Sequence, residues 1–137
     1  MTELLRAAIA VDKSLDAGAA ANASAIVMGQ LARLDDRIYA DDVCDGEGSL
    51  HAGIRFNTLV LSGRRNHLTA LAESARAEGL PVVLFTAQGR TLDNSFDAYR
   101  AMVATARPGE LSVCAVGVVG EHDLVRSLTR RFSVYRG

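Results

Sequence analysis

Leu5-Arg6-Ala7-Ala8-Ile9-Ala10-Val11, followed at once by Asp12-Lys13-Ser14, is the stretch on which the fold turns. A short apolar run closed by polar residues reads as a buried strand. A Gly- and Ala-rich turn and a helix pattern come next, so Asp12 and Lys13 stand at the carboxyl end of a strand. In α/β folds ligands bind outside carboxyl strand ends. Lys13 is the only lysine; the other fourteen basic Lys/Arg positions are arginine. Lysine serves as a base or nucleophile once its pKa is lowered, and arginine does not. An arginine-biased genome accounts for the solitude of Lys13 equally well.

Beyond this strand, Ala19 to Leu34 places Ala23, Ile26, Val27, Leu31 and Leu34 at helix spacing, interrupted by Gln30. Asp35 to Gly53 is irregular and carries six acids against one base, Arg37. It reads as a long excursion with a short strand around Ile38-Tyr39. Ile54 to Leu61 is a second strand, and a helix with Leu68, Leu71, Ala72 and Ala75 inward follows it. Gly79 and Pro81 end that helix. Val82 to Phe85 is a third strand. A polar loop, Thr86 to Thr91, leads to a helix from about Asp93, with Phe96, Tyr99, Val103 and Ala106 expected inward. Leu111 to Val119 is the longest buried strand, a short helix runs through Leu128, and Phe132 to Tyr135 closes the chain. The order β-α-β-α-β-α-β-α-β predicts a three-layer α/β/α sandwich on a mainly parallel, mixed sheet.

The totals agree with one domain spanning residues 1–137. A chain of 137 residues buries roughly 68% of its unfolded surface, enough for a core without staples. Its 49% hydrophobic content and mean hydropathy of +0.13 argue against disorder. A net charge of −1 gives no global pull toward nucleic acid. No apolar stretch approaches the roughly 20 residues of a membrane span. Glu3, Arg6 and Asp12 do not suit a signal peptide. Two cysteines, Cys44 and Cys114, do not suggest a secreted disulfide framework, so the cytoplasm is the expected compartment.

Several residues are candidates for chemistry, each beside a plainer structural role. Asp12 and Lys13 could form an acid/base or anion-holding pair, or a solvated strand end; adjacent strand residues point to opposite faces. Asn22 and Ser24 lie in the first turns of the crossover helix, where N–H groups favour anions. Local capping explains them as well. Thr86, Gln88, Arg90, Thr91 and Asp93 could line a polar pocket at a second strand end, or Asp93 could simply cap a helix. His51 could shuttle protons, but a lone loop histidine is ordinarily solvated. Cys44 with His51 is a conceivable nucleophile pair, although nearby carboxylates raise the thiol pKa. Cys114 reads as a small core residue. Arg126, Arg130, Arg131 and Arg136 form a locally basic C-terminus that could touch phosphates or be ordinary surface. No His/Cys spacing fits zinc. The acidic stretch has Val43 and Ala52 where a calcium loop starting at Asp41 needs acids. No cofactor is implied.

A set of residues taken in order resembles a known family. These are Leu15, Gly18 and Asn22-Ala23-Ser24-Ala25, Val82 to Thr86, Asp93 to Tyr99, Gly117 to Gly120, and Leu128-Thr129 to Tyr135-Arg136. Together they resemble the bacterial family catalogued as domain of unknown function two thousand. The resemblance implies the fold of the type II peptidyl-tRNA hydrolases and a homodimer. It also exposes departures. The hydrolases place lysine and glycine after the first crossover glycine, where this chain has Ala19-Ala20-Ala21 behind Gly18. Ala25 and Met28 stand about where their glutamine and histidine would be. Their Asp-Ala-Gly-Arg-Thr run reads Thr86-Ala87-Gln88-Gly89-Arg90-Thr91 here. Asp93 is the nearby acid that could replace the missing aspartate.

The expected function is therefore a small polar or anionic ligand held between Lys13, Asn22 and Ser24 on one side and Thr86, Thr91 and Asp93 on the other. The alternatives are a hydrolase or transferase on an ester or amide, with Lys13 or Asp93 in acid/base work, and a structural dimer without a ligand.

Overall fold

A computed structural model describes residues 4–91, 95–107 and 109–137, with the side chains of Arg90 and Thr91 excepted. Among the described residues there are seven strands and four helices, and their order alternates as expected except for two short extra strands between the first helix and the second long strand. The elements are β1 (Leu5–Asp12), α1 (Ala17–Leu34), β2 (Val43–Cys44), β3 (Leu50–His51), β4 (Asn57–Gly63), α2 (Arg65–Ala77), β5 (Val82–Thr86), α3 (Phe96–Thr105), β6 (Val113–Glu121), α4 (His122–Leu128) and β7 (Ser133–Val134). Five of the strands make one sheet in the order β5-β6-β1-β4-β7, and β2 with β3 forms a separate hairpin.

The expectation of a mainly parallel sheet is wrong. Among the described strands of this sheet only β1 and β4 pair parallel; β1–β6, β5–β6 and β4–β7 are all antiparallel. The helices α1, α2 and α4 do join strands that run the same way. However, β6 lies between β1 and β5, and only the pair joined through α1, β1 and β4, are neighbours; β4 and β5, and β6 and β7, run alike without touching. The remaining helix, α3, connects two antiparallel neighbours and buries no residue of its own. A crossover helix must bury a face on the sheet, and α3 does not act as one.

β1 is central and nearly all buried, with Arg6 alone half-buried. Strand alternation sorts its side chains between two cores. Ala8 and Ala10 join Leu68, Leu71, Ala72, Ala75 and Val125 of α2 and α4 on one face. Ile9 and Val11 meet Ala20, Ala23 and Val27 of α1 on the other. The alanine-rich start of α1 allows close approach. Gly117 of β6 is needed for it: a Cβ there would stand 2.5 Å from Val27 Cγ1.

Local punctuation is mostly as expected. Gly79 at φ +73° stops α2. Its N–H donates to Arg76 O, and that of Leu80 to Ala75 O, both at 3.0 Å, which satisfies two terminal carbonyls. Several inward assignments fail. Phe96 and Val103 are exposed rather than inward, and so are Ile26 and Leu34 on α1. Tyr99 alone of the aromatic residues on α3 packs on the core. The Ile38-Tyr39 region is a short 3-10 turn (Asp36–Ile38) followed by a bridge from Tyr39 to Ile54, with Ile38 buried.

Candidate functional site

The site is built by three chain segments whose ends the sheet brings together at one end of its strands. β1 and β4 end there side by side, with Asp12 opposite Gly63, while β7 begins there with Ser133 opposite Ser62. Lys13 N–H extends the ladder to Gly63 O at 2.9 Å. Alternation then sends Asp12 and Lys13 in different directions. Asp12 lies on the α2 face and Lys13 on the side of α1.

Asp12 is buried, and all its visible partners stabilise the carboxylate. Oδ1 accepts from Ser14 N–H at 3.0 Å and from the Ser14 hydroxyl at 2.9 Å. Oδ2 accepts from Arg65 Nε and Nη2 at 3.3 and 3.2 Å. Burial pushes its pKa up, but the Ser14 bonds and the Arg65 guanidinium outweigh it and hold the group below the ordinary aspartate value. Asp12 therefore remains ionised and saturated with donors. It orders the turn into α1 rather than serving as a poised proton carrier.

Beside it opens a cavity of about 610 Å³, lined by Lys13, Ser62, Ser133, Tyr135 and Arg136 and by the start of α1 at Leu15, Asp16 and Ala17. Lys13 and Arg136 bring two positive charges to it against the carboxylate of Asp16, and the two serines and Tyr135 bring hydroxyls. Asp16 is the N-cap of α1: its Oδ1 accepts from Ala19 N–H at 2.8 Å. The positive end of the helix dipole points to the same place. Lysine, arginine, hydroxyls and a helix N-terminus form a donor-rich set suited to carboxylate or phosphate oxygens. Among the described residues no His, Cys, Asp and Glu side chains group as metal ligands.

The other expected residues do not converge here. Asn22 is exposed on α1 and does not line the cavity. Ser24 Oγ donates to Ala20 O of its own helix at 2.8 Å. Thr86 is buried at the end of β5, beyond β6 from β1, and its hydroxyl has no hydrogen-bond partner among the described residues. Thr91 ends a 3-10 turn (Ala87–Thr91), but its side chain lies outside the described residues, as does Asp93 entirely. Gln88 instead braces the turn near Ser112, donating to Glu110 O at 2.8 Å and accepting from Ser112 N–H at 3.0 Å.

On the separate hairpin, His51 Nε2 lies 2.8 Å from Asp45 Oδ2, both exposed, and this contact lowers the Asp45 pKa. Cys44 pairs across with Leu50 while Val43 pairs with His51. Cys44 and His51 thus occupy different faces of the hairpin, and no nucleophile pair is assembled. Cys114 is buried in β6, as its apolar surroundings predict. No helix among the described residues is long and apolar enough to cross a membrane.

Sequence reasoning missed Arg65, Ser62, Ser133 and Tyr135 as site residues. They reach the site only through the pairing of β4 with β1 and β7, which no local motif announces.

Comparison with known proteins gives the fold a context. The sequence model of a family described as "Protein of unknown function (DUF2000)" matches residues 5–136. The chain is similar in structure to a protein of unknown function from Agrobacterium tumefaciens. The TM-score is 0.85 at 14% sequence identity, over 99% of this chain and 100% of that one. At that identity the likeness speaks for the fold alone. No curated protein matches the chain.

Proposed function

This chain belongs to the DUF2000 family, and on that premise we propose that it is a binding domain for a small polar or anionic ligand. The ligand sits in the cavity at the carboxyl ends of β1 and β4. The observation that carries this reading is the placing of Lys13 and Arg136 in one cavity with Ser62, Ser133 and the start of α1. Its volume of about 610 Å³ falls within the range of about 300–1,000 Å³ usual for small-molecule sites. Of the residues first expected to bind, Lys13 belongs to this site, and Asn22, Ser24 and Thr86 do not.

The finer framework, a type II peptidyl-tRNA hydrolase-like arrangement in a cytoplasmic homodimer, is part of the same proposal. Its support is the resemblance, together with helices on both faces of a mixed sheet. Binding is favoured over peptidyl-tRNA cleavage because, by the resemblance, Ala19-Ala20-Ala21 follow Gly18 where the hydrolases carry lysine and glycine, and Ala25 and Met28 stand about where they carry glutamine and histidine. Asp12, held ionised by Ser14 and Arg65, does not replace them as a general acid.

The test is a thermal-shift screen of the purified protein against small carboxylates, phosphates and sulfates, repeated with Lys13→Ala, Arg136→Ala and Asn22→Ala. A stabilising anion is expected whose effect is lost in the first two variants and kept in the third. A screen without any shift, or a shift that survives Lys13→Ala with Arg136→Ala combined, refutes the reading.

A further inference from the structure

A second cavity, of about 840 Å³, opens between α1, the edge strand β5 and α3. It shares no lining residue with the Lys13–Arg136 cavity. Its walls are mostly apolar, with Ile26 on α1, Val83 and Phe85 on β5, and Phe96 and Tyr99 on α3. Ile26 is 45% exposed and Phe96 65% exposed. The apolar side chains of two helices therefore front a void instead of packing on each other, and α3 buries no residue at all. Contiguous exposed apolar surface of this kind marks a binding groove.

Among the described residues the polar part of the groove has one sign. Gln30 and Arg33 line it from α1, joined by a bond from Arg33 Nη1 to Gln30 Oε1 at 3.3 Å. The described lining residues include no Asp or Glu. Arg33 has no carboxylate partner among the described residues. A guanidinium with free donors at the rim of an apolar groove suits a carboxylate, which it can hold through two parallel bonds. From Ile26 to Arg33 the helix rises about 10 Å, which sets the span between apolar body and charged head. We propose that this groove binds a small amphipathic acid, a hydrocarbon or aryl body ending in one carboxylate, with the head on Arg33 and the body against Ile26, Phe85 and Phe96.

Gly29 provides a blocking variant that keeps the fold. It lines the groove, and a Cβ built there meets nothing within 4 Å. Leucine is also a better helix former than glycine. The experiment titrates the full chain with decanoate and, separately, with decanol, following displacement of an anilinonaphthalene sulfonate dye and checking stoichiometry by calorimetry. Wild type is expected to bind decanoate saturably, one per chain, about tenfold more tightly than decanol, as a charged hydrogen-bonded head requires. Arg33→Gln should erase that preference while decanol binding stays, and Gly29→Leu should abolish both. No decanoate binding by wild type overturns the proposal, as does wild-type affinity in Gly29→Leu or an unchanged preference in Arg33→Gln. Self-association lost in Gly29→Leu without any decanoate binding would assign the groove to a second copy, and likewise overturns it.

Discussion

The Asp12 carboxylate ties together the two crossovers that flank the sheet centre. Oδ1 takes the N–H and hydroxyl of Ser14 at the entry to α1, and Oδ2 takes Nε and Nη2 of Arg65 in the first turn of α2. Because β1 alternates, this anchor lies on the α2 face while Lys13, the next residue, lines the cavity. The anchor thus sets the backbone from which Lys13 projects without occupying the site.

Asp12→Asn keeps the shape but sets an amide N–H₂ against donors. The loss expected is about 1–3 kcal/mol, the cost of leaving buried polar groups unmatched. Ser14→Ala removes only the hydroxyl bond and should cost less, about 0.5–1.5 kcal/mol. Urea unfolding of both variants measures this; wild-type stability in Asp12→Asn would show that the anchor carries no weight.

The same carboxylate predicts a direction for acid sensitivity. Asp12 and Asp35 both lie below the ordinary aspartate value of 3.8 in the folded chain. For Asp35 the cause is chiefly its hydrogen bonds from the Arg37 side chain; for Asp12 the Ser14 and Arg65 contacts outweigh burial. A depressed folded pKa means that the unfolded chain binds protons first. The stabilisation is therefore complete above 3.8 and is lost as pH falls through the folded values. Urea midpoints measured from pH 7 downward should stay level on this account and then drop below about pH 4. The drop should be shallower in Asp12→Asn, and an equal slope in that variant would contradict the assignment.

Gly117→Ala tests the α1 contact. The new methyl would meet Val27 Cγ1 at 2.5 Å and Leu31 Cδ2 at 3.4 Å in a packed core. Overpacking of this kind costs about 1–3 kcal/mol, read as a lower thermal midpoint. Gly29→Ala on the same helix meets nothing and should instead raise the midpoint.

Peptidyl-tRNA is the substrate that the resemblance brings to mind, and this chain should leave it intact. Incubation with a labelled peptidyl-tRNA is expected to release no peptide above background. Robust turnover would show that residues other than the missing glutamine, histidine and lysine suffice.

Local patterns made the elements readable, while partners distant in sequence decided the rest. The apolar run Leu5–Val11 and the spacing of Ala23, Val27 and Leu31 identified a buried strand and its covering helix correctly. The sheet's polarity was hidden, because alternation of strands and helices says which strands run alike but not which ones are neighbours. α3 misled most: Phe96 and Val103 have helix spacing, yet nothing in spacing tells whether a sheet lies beneath them. Lys13 was visible at the site because its strand end was visible. Ser133, Tyr135 and Arg136 reach it through the two-residue pairing of β7 with β4, which leaves almost no mark in the sequence.

The solitary lysine allows the central claim to be measured at one atom. In protein carrying ¹³C,¹⁵N-labelled lysine, every side-chain signal comes from Lys13. Titration with inorganic phosphate, sulfate and citrate should shift its Cε resonance along a saturable curve for at least one of them. That shift should weaken in Arg136→Ala. A Lys13 signal that stays fixed through all three titrations, in protein shown to be folded, would contradict the account of an anion site at the carboxyl ends of β1 and β4.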